Sequence, residues 1–126
     1  MRDIRVAAAQ FEHRDNDKAY NLSRIRALTR RAVDQGAEIV SFHEISIPAY
    51  TWLQNLSKEQ LLAVAEPVPD GPSVQELIKI AREFHVVVMA GLVEKDDDRA
   101  YNCYVTVGPD GFITRFRKLH TFISPH

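Results

Sequence analysis

The chain has 126 residues, 45% of them hydrophobic and 26% charged, with a formal net charge of -1, which is enough for one domain with its own core. That balance excludes a global pull toward nucleic acid, because the densest basic cluster, Arg24, Arg26, Arg30 and Arg31, falls on one helical stretch with Asp34 and Glu38 close behind, the pattern of a solvated helix face. A single cysteine, Cys103, excludes an internal disulfide, and the scattered histidines His13, His43, His85, His120 and His126 show no zinc spacing.

The opening residues Met1-Arg2-Asp3 do not read as a secretory leader, and no run approaches the roughly 20 apolar residues of a membrane-spanning helix. The expected compartment is therefore the cytoplasm, with no membrane, nucleic acid, metal or cofactor among the expected partners.

Residues 4–11, with Val6, Ala7, Ala8 and Ala9, form a compact run without alternation, the signature of a buried strand central in a sheet. Leu22, Ile25, Leu28, Ala32 and Val33 then recur at helical spacing, and Gly36 supplies a stop, giving a helix of about five turns. Ile39, Val40 and Phe42 make a second strand that runs into His43-Glu44. Residues 45–55 carry Pro48, Tyr50 and Trp52 and keep neither period, so they are expected to form a loop at the mouth of the sheet.

Ser57-Lys58-Glu59-Gln60 and Ser73-Val74-Gln75-Glu76 both fit the capping box that opens a helix. Between them, the proline-rich stretch from Pro67 to Pro72 marks a turn. Val86-Val87-Val88-Met89-Ala90-Gly91-Leu92-Val93 is a third strand. Short polar turns, Lys95-Asp96-Asp97-Asp98-Arg99 and Gly108-Pro109-Asp110-Gly111, then flank residues 101–107, so the last three strands read as an antiparallel meander. The order β-α-β-α-α-β-β-β predicts an α/β fold, a mixed sheet with helices packed on one or both faces.

Two charged residues occupy corresponding places in this pattern. Glu44 follows the second strand and Lys118 follows the fifth, at the strand ends where open α/β sheets bind ligands. Both strands point to the same end, so the two side chains are expected to converge. On the residues alone, a surface ion pair is the more frequent reading of such a Glu and Lys. Tyr50 and Trp52, on the mouth loop, are candidates for a substrate-pocket wall, or for core packing. His120 reads as a structural histidine.

The residues in order resemble the carbon-nitrogen hydrolase, or nitrilase, superfamily along essentially the whole chain. The likeness rests on Ala9-Gln10-Phe11, Phe42-His43-Glu44, Gly71-Pro72 before a helix, Ala90-Gly91, Tyr101-Asn102, Gly108-Pro109-Asp110-Gly111 and Arg117-Lys118-Leu119-His120. It implies a glutamate–lysine–cysteine mechanism in an αββα sandwich, with this chain forming half of that sandwich, Glu44 matching the glutamate and Lys118 the lysine. Many members place a proline where this chain has His43. The resemblance sets the nucleophilic cysteine on a later strand beyond residue 126, so residues 1–126 are expected to be a hydrolase domain cut before its nucleophile. Cys103, in mid-strand and away from the strand ends, reads as a buried structural thiol.

The implied reaction is hydrolysis of a small-molecule amide, carbamoyl compound or nitrile. Such groups are poor electrophiles, so the covalent route needs a thiolate, a base to make it and a positive group where negative charge develops. Partners expected from the pattern are that small molecule, and either a second copy or the carboxyl-terminal half to cover an apolar sheet face. Two other classes fit the chain: a non-catalytic remnant serving as a binding or assembly partner, and a plain α/β binding module. A cysteine on a following strand separates the enzyme from both.

Overall fold

A computed structural model describes residues 1–121. The elements are β1 (Val6–Ala8), α1 (Lys18–Asp34), β2 (Ile39–Ser41), a short 3-10 helix (Thr51–Asn55), α2 (Lys58–Val64), α3 (Pro72–Phe84), β3 (Val87–Asp96), β4 (Arg99–Gly108) and β5 (Gly111–Arg117). The strands form one five-stranded sheet in the order β1-β2-β3-β4-β5. β1, β2 and β3 run parallel, and β4 and β5 continue as antiparallel neighbours. The carboxyl ends of β2, β3 and β5 and the start of β4 therefore share one end of the sheet. The fold is α/β, as the alternation of periods predicts.

Both crossovers step the same way across the sheet, so connections of uniform right-handed sense place α1 and α3 on one face, while Leu61 of α2 and Ala65 pack with Val93 and Ala100 toward one end of the other. Accordingly α1 packs on α3, and α3 packs on β3, β4 and β5. The core lies between: Ala7, Val40, Val88, Ala90, Leu92, Cys103, Val105 and Val107 alternate onto the helix side, against Ile25, Val74, Leu77 and Ala81. The intervening residues point to the other face, where Val6 keeps 58% and Phe116 60% of their surface exposed.

Two local expectations are corrected. β1 is an edge strand, not a central one. Its unbroken apolar character fits the half-covered position, with Ala7 against the core and Val6 on the uncovered face. The second correction concerns α3. Its amino-terminal cap is Gly71, with Pro72 in the first turn, and no side chain caps it locally. Ser73 instead gives its backbone N–H to Glu66 Oε1 at 2.7 Å and its hydroxyl to Glu66 Oε2 at 2.6 Å. An anion brought from outside the helix thus satisfies the first turn. The capping box of α2 forms as its sequence predicts, with Ser57 and Gln60 bonding reciprocally.

Candidate active site

β2 ends at Ser41, and the chain then turns sharply at the sheet's mouth. Phe42 N–H still reaches the Met89 carbonyl at 2.8 Å, Ile45 takes a positive φ of 50°, and Ile47 N–H returns to the Gly91 carbonyl at 3.1 Å. This route needs a residue without a side chain at 91. A Cβ there would stand 2.2 Å from the Ile45 nitrogen. The Ala90-Gly91 step in β3 is thus the opening through which the Glu44 turn approaches. Tyr104, from β4, donates its hydroxyl to the Phe42 carbonyl at 2.5 Å and fixes the same turn from below.

The turn presents Glu44 to the end of β5. Lys118 Nζ donates to Glu44 Oε1 at 2.6 Å, and Asn102 Nδ2 donates to the same oxygen at 2.6 Å. Asn102 holds both partners, because its own carbonyl accepts the Lys118 N–H at 2.8 Å. Side-chain exposures of 36% for Lys118 and 44% for Glu44 leave the pair open to a ligand from the uncovered face. Partial burial pushes the Glu44 carboxyl upward, but the hydrogen bonds from Lys118 and Asn102 together outweigh it and leave the group below its ordinary value. The bond to Glu44 raises Lys118 against its own desolvation, and the charge of the Glu44 carboxylate adds to the rise. Both groups are thus held ionised across the neutral range.

Of the two aromatic candidates, Tyr50 is half-buried beside Ile45, Ala65 and Val93, within electrostatic reach of Lys118. Trp52 turns back on its own loop and donates its indole N–H to the Pro48 carbonyl at 2.8 Å. His120 is exposed. Cys103 is fully buried and, one residue along β4 from Asn102, points to the opposite, helix-covered face. Its thiol is pushed up to about 12, chiefly by burial and then by the nearby Glu94 carboxylate, so it is not a thiolate at neutral pH.

Asn102 is the site residue that strand pattern alone does not single out. It stands opposite Lys118 only because a bulge at Thr106/Val107 shifts the β4–β5 register. Above the bulge Gly108 faces Gly111, and below it Cys103 faces Arg117, one residue out of step with the turn. The shift turns Arg115 and Arg117 toward buried Glu94 and sends Phe116 and Lys118 to the open face. Among the described residues no helix is long and apolar enough to cross a membrane.

Comparison with known proteins agrees with this architecture. The sequence pattern of the carbon-nitrogen hydrolase family matches residues 5–126. The nitrilase of Pyrococcus abyssi is 34% identical over 119 residues, covering 94% of this chain and 44% of that protein. The bovine (Bos taurus) omega-amidase NIT2 is 36% identical over 124 residues, covering 97% of this chain and 42% of that protein. Among solved structures, Saccharomyces cerevisiae Nit3, a member of the nitrilase superfamily, superposes with a TM-score of 0.76 at 28% identity, over 93% of this chain and 44% of that one. An amidase from Nesterenkonia sp. shares the fold, with a TM-score of 0.76 at 20% identity. The chain spans less than half the length of these relatives.

Proposed function

The chain belongs to the carbon-nitrogen hydrolase family, and we propose that it supplies the base and the cation for hydrolysis of a non-peptide carbon–nitrogen bond in a small amide, carbamoyl compound or nitrile. The observation that supports this reading is the contact of Lys118 Nζ with Glu44 Oε1, braced by Asn102. An exposed ion pair contributes only about 0–1 kcal/mol to stability. The supports around this one, the Gly91 opening, the Tyr104 anchor and the β5 bulge, are more than that return accounts for.

Glu44 is the general base and Lys118 the positive group near the developing oxyanion. Oε1 is taken by both donors, while Oε2 accepts no hydrogen bond among the described residues, so Oε2 is the oxygen that takes the proton. In this reading the nucleophilic cysteine is supplied by sequence following Lys118. Its thiol passes its proton to Glu44, and the sulfur attacks the carbonyl or nitrile carbon. For an amide, the leaving nitrogen takes that proton back as the C–N bond breaks, and water then hydrolyses the thioester with Glu44 again as base. Tyr50 lines the approach beside Lys118, with Trp52 further along the same loop. We expect the 126-residue chain to be inactive alone. The uncovered sheet face calls for a second layer, from the rest of the domain or from another copy.

The test is steady-state kinetics in a protein that includes the cysteine. Glu44→Gln should lower turnover by about 10²- to 10⁴-fold with the fold intact, and Lys118→Ala should be at least as damaging. A loss under about tenfold in either variant would remove the pair from the mechanism, since a positioned base supplies far more than that.

A further inference from the structure

The turn that carries Glu44 is gripped from two sides. Toward β3 it lies against Gly91. On the side of the loop after β1 the grip is a pair of imidazoles. His43 Nε2 lies 3.0 Å from His13 Nδ1, and the two rings stack with centroids 5.2 Å apart and planes inclined by 28°. The Phe11 ring closes on His43 edge-on at 4.9 Å. The other nitrogen of His43, Nδ1, is buried and has no hydrogen-bond partner among the described residues.

Counting hydrogens on this pair fixes its behaviour. Two neutral rings carry two N–H groups between them. One arrangement satisfies the site: a hydrogen on His43 Nε2 donated to His13 Nδ1, a hydrogen on His13 Nε2, and a bare lone pair on buried His43 Nδ1. A third hydrogen has only two places to go. It can sit on His43 Nδ1, where it becomes a buried donor without an acceptor, or it can join the shared position, where two N–H groups would face each other at 3.0 Å. Either outcome opposes the closed geometry.

We propose that His43, through its hydrogen bond to His13, is a positioning residue for Glu44, and that this hold on the Glu44 turn is released when the two rings take up a third hydrogen. The inference rests on the reading of Glu44 as the general base.

The surrounding charges do not offset the added proton. Glu44 is engaged with Lys118 and Asn102. Arg14 lies over the Tyr20 ring, with its backbone held by Asn21 of α1. Glu12 is exposed. Phe11 and Phe42, just past β1 and β2, and Ala90 and Gly91 of β3 supply no charge. Burial first, and the charge of His13 second, hold His43 below its ordinary value of 6.5. A depressed folded value means that the stabilising contribution is complete above 6.5 and is lost as pH falls through the folded value.

The experiment is a nuclear magnetic resonance titration of the 126-residue chain, following the imidazole signals of His13 and His43 and the side-chain carboxyl of Glu44. In the wild type the Glu44 signal should move with the same midpoint as His43, above the midpoint of its own protonation. His43→Gln keeps a group at the Nε2 position that donates or accepts by turning its amide, so Glu44 should become flat through that window. His13→Ala removes the partner, and Glu44 should be displaced at every pH while the backbone amide spectrum shows the fold retained. A wild-type Glu44 signal that ignores the His43 midpoint, or the same response in His43→Gln, would overturn the proposal. No turnover enters this readout: coupling seen alongside a fully active Glu44→Gln enzyme would leave the latch standing and remove the catalytic reading.

Discussion

At the scale of single residues, the two oxygens of Glu44 are unequal. Lys118 and Asn102 both bond Oε1 at 2.6 Å. Their joint effect exceeds the upward push of burial and leaves the folded carboxyl below 4.5. Its contribution to stability is thus present above the ordinary value and is lost as pH falls through the folded one. Asn102→Ala removes one donor while Lys118 stays, so the Glu44 midpoint should rise, and the acid loss of stability should begin at higher pH. Carboxyl carbon shifts followed across the titration measure this directly, and an unmoved midpoint would show that Asn102 is a bystander. Cys103 gives the complementary prediction. With its thiol pushed up to about 12 by burial and by Glu94, alkylation near pH 8 should be slower in the folded chain than in urea by orders of magnitude. Of the candidate site, Glu44 and Lys118 are picked out in the sequence by their place after a strand taken together with the family resemblance. Asn102 is not, since nothing in a β-strand marks which polar side chain meets a turn from two strands away.

At the scale of elements, what sequence conveys depends on whether the determinant is local. The α2 capping box is local, and Ser57 and Gln60 form it. The start of α3 is not local: Pro72 and the distant Glu66 set it, so Ser73-Val74-Gln75-Glu76 misplaces the cap. The β5 bulge is the most consequential element-level feature, because leaving Ile113 unpaired, rather than pairing it, decides which face receives Lys118. Deleting Ile113 would remove the bulge yet keep Thr114 opposite Thr106 and Arg117 opposite Cys103, so Lys118 and Phe116 should stay on the open face. Such a variant should keep the Glu44–Lys118 contact, which a crystal structure or side-chain nuclear Overhauser effects would show; loss of the contact in a folded variant would mean that the bulge itself, and not the pairing beyond it, places Lys118. Gly91→Ala tests the other support. Its Cβ meets the backbone of residue 45 at 2.2 Å, and backbone cannot rotate away as a side chain can. The turn must move, at a cost of ~1–3 kcal/mol or more, read as a lowered Tm together with a displaced Glu44 carboxyl signal.

At the scale of the whole molecule, the strand order and the packing of α1 and α3 on one side leave much of the other face of the sheet open, covered only over Gly91, Val93 and Ala100 by the residues after β2 and by α2. The periodicity of the helices and the meander of the last strands are both legible, yet the sidedness of β1 is not. An alanine-rich run looks the same whether two layers cover it or one, and the structure places it at an edge with Val6 on the open face. That face carries Val6, exposed Ile113 and Phe116, together with half-buried Met89 and Tyr104. Contiguous apolar surface of this kind draws a second layer onto itself. The 126-residue chain alone should therefore associate as its concentration rises. Phe116 offers the sharpest lever, since at 60% exposure its replacement removes almost no packing within the chain. Phe116→Lys should leave the thermal transition nearly unchanged while shifting the sedimentation-velocity distribution toward monomer. A wild-type chain that stays monomeric at every concentration, or a variant that unfolds, would show that the face is closed by contacts within the chain.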